Sequence, residues 1–168
     1  MARRGLLDGI LDLLVPGRRP PSGVGGSRDW GGAPEARGQA QEAGGGAYPG
    51  DFAGVPAMEW SPAPDGRPDP GEVVWTWVPY EEDHTQGKDR PVLLIGRDGR
   101  WLLALQLTSQ DHDRDAAQER RAGREWVDIG TGAWDRRARP SEVRVNRVLR
   151  IDPEQIRRVG AVLPRERF

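Results

Sequence analysis

The chain of 168 residues contains no cysteine. Disulfides, thiolate metal sites and cysteine nucleophiles are thereby excluded, and the fold must be held by packing alone. Lysine is nearly missing too: 24 of the 25 basic residues are arginine, with Lys88 the exception. A net charge of −1 rules out the global basic field of a protein that coats nucleic acid, though a local basic groove stays open. No apolar run is long enough to cross a membrane. At the amino terminus, Ala2 to Val15 places basic residues before apolar ones, but Asp8, Gly9 and Asp12 interrupt the run and no small-residue cleavage site follows. This is not the pattern of a signal peptide, so a cytoplasmic protein is expected.

What is abundant is unevenly spread. Residues 1–70 hold 15 of the 23 glycines and 10 of the 15 prolines, whereas residues 71–168 hold five of the seven tryptophans. The first part therefore reads as a largely disordered extension: an amphipathic helix within 1–15 (Leu6, Leu7, Ile10, Leu11, Leu14), then a Gly/Pro-rich linker over 16–70 with Trp60 as an anchor. The second part is one small domain.

Within 71–168 the dominant period is two. Val73, Trp75 and Trp77 alternate with Val74, Thr76 and Val78 up to Pro79, a strand with both faces in use. An acidic loop, Tyr80 to Asp89, is expected to be mobile and to lead into a strand over Pro91 to Arg97. Asp98-Gly99 marks a hairpin turn into a third strand, Trp101 to Leu107. Residues 110–124 are charged with no apolar stripe, which suits a mobile loop or a short surface helix. Further strands follow at Trp126 to Ile129 and Ser141 to Ile151. Asp152, Pro153 and Gln155 form a helix-start signature, with Ile156 and Val159 on its buried side. The expectation is a mainly β (α+β) domain of five or six short strands with a carboxy-terminal helix.

Four segments in order, GEVVW (71–75), GKDRPVLLIG (87–96), LLALQLTS (102–109) and RVLRID (147–152), resemble the pattern of MazF/PemK-type toxins. The departures are Glu72 where the family carries Asp, and Thr85 where several members carry Glu. The resemblance covers residues 71–168 and implies a small SH3-like barrel of five to seven strands that forms a homodimer. It implies a toxin of a type II toxin-antitoxin pair that cleaves single-stranded RNA, with a cognate antitoxin as partner. The 2′-hydroxyl attacks the phosphorus, a cyclic phosphate and a 5′-hydroxyl result, and neither metal nor other cofactor is needed.

Such chemistry requires a cation at the phosphorane and a proton donor and acceptor beside it. The resemblance assigns the cation to Arg90, fixed by Pro91, and a phosphate-contacting hydroxyl to Thr108; these are the expected catalytic pair. The plainer reading of Arg90 is an ion pair with Asp83 or Asp89, and that of Thr108 a strand-end hydroxyl. Lys88, Ser109, Thr85 and Gln86 are expected to contact RNA. His84 and His112 are of the residue type suited to acid/base work near neutral pH, or are exposed loop residues. His112 with Asp111, Asp113 and Asp115 lacks the second ligand set a metal would need. Trp75, Trp77 and Trp101 suit a core or dimer interface, while Trp134 either stacks a base or packs under a turn.

Two other readings stay open. One is a non-catalytic binding protein on the same barrel, similar to gyrase-poisoning CcdB-type toxins; the other is a degenerate interaction module. Trp60 and the scattered acids of the extension also suggest that it folds back over the groove and inhibits in cis.

Overall fold

A computed structural model describes residues 47–109 and 116–168. The expected helix within 1–15, most of the expected linker, His112 and the acidic residues around it lie outside the described residues.

Alternation dominates the folding of this region. Strands β1 (Glu72–Pro79), β2 (Gly87–Asp98), β3 (Trp101–Thr108), β4 (Trp126–Gly130), β5 (Ser141–Ile151) and β6 (Arg158–Val162) form a curled antiparallel sheet in the order β4-β5-β3-β2-β1-β6. Each face carries its own apolar cluster. Val73, Leu93, Leu105 and Val148 stand opposite one another on successive strands and join Ile129, Trp134 and Leu163 in the larger cluster. Val74, Val78, Val92, Leu94, Leu102, Ala104, Leu149 and Ile151 form the other, with Ile156 packed against it. Full burial of each such side chain contributes on the order of 1.5–3 kcal/mol. The curl carries the carboxy terminus round to β4, where the Arg167 guanidinium donates to the carbonyls of Ile129 (3.4 Å) and Thr131 (2.8 Å).

The carboxy-terminal helix is not present. Asp152 does cap, accepting from the Glu154 N–H at 3.1 Å, and Pro153 does open a turn, but the turn is a single 3-10 unit, Pro153–Gln155. The backbone extends at Ile156, the Arg157 N–H donates to the Trp75 carbonyl at 2.9 Å, and residues 158–162 pair with β1 as β6. The reason lies in β1 rather than in the cap. A strand buried on both faces cannot leave one edge of its backbone unpaired, and that edge outcompetes a helix whose only local support is its first turn.

Strand boundaries move for related reasons. β2 begins at Gly87, not Pro91, because it stays paired with β1 down to Pro79↔Gly87; the acidic loop shrinks to residues 80–86, closed by Tyr80 N–H to Gln86 C=O at 2.8 Å. The β2–β3 turn is Gly99-Arg100, with Asp98 and Trp101 as the last pair and Gly99 at φ +59°, the left-handed conformation that glycine adopts without strain. After the undescribed residues 110–115 comes the short helix α1 (Ala116–Arg121). Among the described residues no helix is long and apolar enough to cross a membrane.

The last part of the expected linker is not free. Residues 47–70 run along the sheet: Phe52 bridges to Val148 (N–H to C=O, 2.8 Å), Glu59 N–H reaches Ile95 C=O (2.8 Å), and the Trp60 indole donates to Leu163 C=O (2.9 Å). β4 covers β5 only as far as Arg144, so the bridge at Phe52 continues that edge. Gly96, at an irregularity of β2, lets the chain pass closely, since a Cβ there would collide with the Ala57 carbonyl oxygen. Gly96→Ala is therefore expected to lift residues 57–59. The Glu59 amide should exchange with solvent roughly tenfold faster, the equivalent of one hydrogen bond, while amides of β3 keep their protection; unchanged exchange at Glu59 would refute this account of Gly96.

Candidate functional site

The β1–β2 hairpin outruns the rest of the sheet. Pairing of β2 with β3 ends at Val92↔Gln106, whereas pairing with β1 continues through Trp75↔Pro91 and Thr76↔Arg90 to Pro79↔Gly87. Pro91 sits just past the last β3 pair, where its missing N–H leaves no gap in that ladder. Along the two-stranded extension, Lys88 and Arg90 share a face with Val78, Thr76 and the cluster residues Val74 and Val92.

Arg90 is half-buried there. Burial holds its guanidinium below the usual arginine range; the Tyr80 hydroxyl works against that shift and the nearby Arg147 adds to it. The ion pairs considered for Arg90 do not form. Asp89 pairs with Arg157 at 2.5 Å, and Asp83 accepts from the Thr85 N–H (2.9 Å), the Thr85 hydroxyl (2.6 Å) and the Gln86 amide (2.8 Å). Among the described residues no carboxylate is paired with Arg90. A guanidinium stays charged under these conditions, so a partly desolvated positive charge lies at this end of the sheet without a carboxylate partner among the described residues.

Thr108 closes β3 on the same face, following Leu102, Ala104 and Gln106 at alternate positions. Arg90 and Thr108 each lie two residues beyond the Val92↔Gln106 pair, so they flank the point where β2 and β3 part. Directly across from Thr108 on β5 is the buried Glu142. Next to it β5 bows outward: from Leu107 to Leu105 β3 advances two residues, while β5 advances from Val143 to Val148. The bow carries Arg144 and Arg147, both less than 8% exposed. Arg144 is gripped by Glu81 (2.9 and 3.2 Å) and Asn146 (2.9 Å), and Arg147 by Asp51 (2.8 and 3.2 Å). Burial disfavours charge on Asp51 and Glu81, but the bonds from Arg147 and Tyr48 to the first, and from Arg144 to the second, hold both carboxyls below their ordinary range.

Asp51 arrives with its own support. The Tyr48 hydroxyl donates to it at 2.6 Å, and burial together with that carboxylate pushes the phenol upward from its usual pKa. The Tyr48 ring meets His84 edge-on at 5.0 Å between centroids. Arg150 donates to the carbonyls of Gly50 (3.1 Å) and Asp51 (3.0 Å) and to the Asp98 carboxylate (2.8 Å).

Of the residues expected to act, Arg90, Thr108 and Lys88 share one face, and the half-buried Ser109 follows Thr108 directly. Thr85 and Gln86 are tied to Asp83 inside the hairpin turn, and His84 is exposed against Tyr48. Sequence reasoning missed Asp51, Tyr48, Glu81, Glu142, Arg144 and Arg147. The signal available was the spacing of Arg144 and Arg147, three apart in a strand of period two, which marks an irregularity that re-aims side chains.

A second concavity, about 280 Å³, lies between Trp75, Trp134, Asp135, Arg136, Arg137 and Arg139. Trp75 alternates with Thr76, so this cleft opens on the face of β1 opposite to Arg90. Trp134 is buried under its turn, donating to the Ser141 hydroxyl at 3.0 Å, while Arg136 and Arg137 are exposed and Arg139 is paired with Asp135. It lacks the desolvated charge that sets the Arg90 face apart.

No curated protein and no solved structure matches the chain. The family model of the PemK-like, MazF-like toxin of type II toxin-antitoxin systems matches residues 69–168, a span that takes in every strand of the sheet, Arg90, Thr108 and the bowed arginines of β5. The chain therefore belongs to the PemK/MazF toxin family.

Proposed function

We propose that the protein is a sequence-specific endoribonuclease toxin that cleaves single-stranded RNA without a metal, by attack of the 2′-oxygen on the adjacent phosphorus. The observation that carries this reading is Arg90: half-buried, on a two-stranded ribbon, with no carboxylate of the described residues to neutralise it. A site preorganised in this way favours a group that gains negative charge as it reacts, as a phosphorane does. In the reaction the 2′-oxygen gives up its proton and bonds to phosphorus. The bond from phosphorus to the 5′-oxygen breaks, and that oxygen takes a proton, leaving a 2′,3′-cyclic phosphate and a 5′-hydroxyl. Arg90 stabilises the phosphoryl oxygens, and Thr108, across the parting of β2 and β3, holds the phosphate through its hydroxyl. Lys88 extends the positive face outward along the ribbon.

The curl of the sheet, with the carboxy terminus bonded back to β4, supports an SH3-like barrel as the family's scaffold here. Family membership supports a cognate antitoxin as partner, a homodimer as working form and the cytoplasm as site of action.

The test is cleavage of a long single-stranded RNA by the full chain in excess EDTA, with mapping of fragment ends. Discrete cuts with 5′-hydroxyl ends are expected, and Arg90→Ala should lower the rate about 10²- to 10³-fold, the usual cost of one preorganised stabiliser. Intact RNA from folded protein across varied sequences would replace the enzyme by a binding protein on the same scaffold. A second outcome addresses Thr108: Thr108→Val keeps the strand's shape and removes the hydroxyl, and should slow cleavage roughly 10-fold, one hydrogen bond's worth. A rate equal to wild type would leave Thr108 as a strand-end residue only.

A further inference from the structure

The segment 47–52 ends at the functional face although it comes from outside the family-matched region, which begins at residue 69. It places a carboxylate, Asp51, on Arg147 through two parallel bonds of 2.8 and 3.2 Å. A guanidinium makes this same two-point contact with a phosphodiester, whose oxygens match the spacing and charge of a carboxylate. Its neighbours are those a substrate would meet: the Tyr48 ring lies against His84 in the β1–β2 hairpin turn, the ribbon leading from that turn carries Lys88 and Arg90, and Glu81 beside it holds Arg144.

We propose that Arg147 is a phosphate-binding subsite of the RNA groove, occupied in this structure by the Asp51 carboxylate, and that residues 47–52 are a cis-acting cover that RNA must displace. The inference rests on the reading that this face binds RNA. Arg147 and Arg90 then act on successive phosphates, one open and one masked. The mask is built to be removable. Its hold on the sheet consists of the Asp51 contact, one bridge at Phe52, the partly buried Phe52 ring under Arg150, the Tyr48 ring against His84 and polar contacts to Arg150, and the chain continues from it into the Gly/Pro-rich residues before 47. No apolar strand must be unpaired to release it.

A purely structural ion pair makes the opposite prediction, since removing one partner of a buried pair destabilises the protein and gains nothing in binding. The experiment uses the full chain and a fluorescent single-stranded 2′-O-methyl oligonucleotide of mixed sequence, which binds but cannot be cut. Asp51→Asn should tighten Kd about tenfold and steepen the dependence of log K on log salt by about 0.7, one further phosphate contact on a single strand. Adding Arg147→Gln should remove that gain, and Glu59→Gln, which deletes the same charge elsewhere on the extension, should leave Kd unchanged. Tyr48→Phe, which keeps Asp51 but frees it from its hydroxyl partner, should give a smaller gain of about threefold, and it decides the matter should Asp51→Asn not fold.

Binding by Asp51→Asn equal to or weaker than wild type, or a gain that survives loss of Arg147, overturns the cover. The two proposals fail separately. Tighter binding with no cleavage of ordinary RNA retains the cover and removes the nuclease, while cleavage that depends on Arg90 with no gain from Asp51→Asn does the reverse.

Discussion

Strand β1 is apolar on both faces, and most of the architecture follows from having to bury it. Val73 and Val74 are both fully buried yet point in opposite directions, so each face of β1 needs a cover and each edge of its backbone needs a partner. β2 supplies one edge along the whole length of β1, down to Pro79↔Gly87. β6 supplies the other over Glu72 to Trp75, at the expense of the helix that Asp152 and Pro153 would otherwise have started. Because β2 must follow β1 to its end while β3 stops at Thr108, a two-stranded ribbon is left standing beyond the body of the sheet. The candidate site follows from that mismatch in length: Arg90 stands on the ribbon between the cluster residues Val74 and Val78, on the face where β3 no longer accompanies it.

The same mismatch explains why the arginines at this end of the sheet differ in their partners. Arg144 and Arg147 stand on the bow of β5, within reach of the hairpin turn and of the amino-terminal segment, and each has captured a carboxylate in bidentate geometry. Arg90 stands on the ribbon itself, where Asp83 is consumed by the turn and Asp89 points to Arg157. A half-buried cation with no carboxylate partner among the described residues opposes folding, and perturbed charges of this kind are enriched at functional sites. Local strand chemistry thus produces three guanidiniums on one end of a sheet, of which one is open and two are engaged.

Much of this was legible in the sequence because it depends on period-two alternation and on local motifs. β1, β3, β4 and β5 lie within a residue or so of their expected places, and the structure puts Arg90 and Thr108 on one face. What was not legible depends on pairs distant in sequence. The fate of residues 153–162 was decided by the free edge of Trp75, about eighty positions earlier, and no local cap can report that. The engagement of Arg147 by Asp51 spans 96 positions and involves a segment whose composition argued for disorder. Low-complexity composition measures how little a segment can bury by itself, not whether a neighbouring sheet offers donors and acceptors at the right places.

That distinction bears on what the amino-terminal segment can be. Residues 47–60 bury Pro56 and, in part, Phe52, Met58 and Trp60, and otherwise depend on hydrogen bonds to carbonyls and charges of the sheet. Exchangeable polar bonds of this kind contribute about 1 kcal/mol apiece in net terms, against a similar cost in chain entropy for each residue held. A segment balanced in this way is ordered when its partners are vacant and yields when a ligand with more charge competes for them. Its attachment at Trp60 and Glu59, beyond the contested contacts, would keep the displaced piece tethered, so that release at Arg147 need not disturb the sheet. The family match spans the sheet and its arginines; the extension before residue 69 supplies a carboxylate to one of those arginines, and the difference between Arg90 and Arg147 is where that addition is felt.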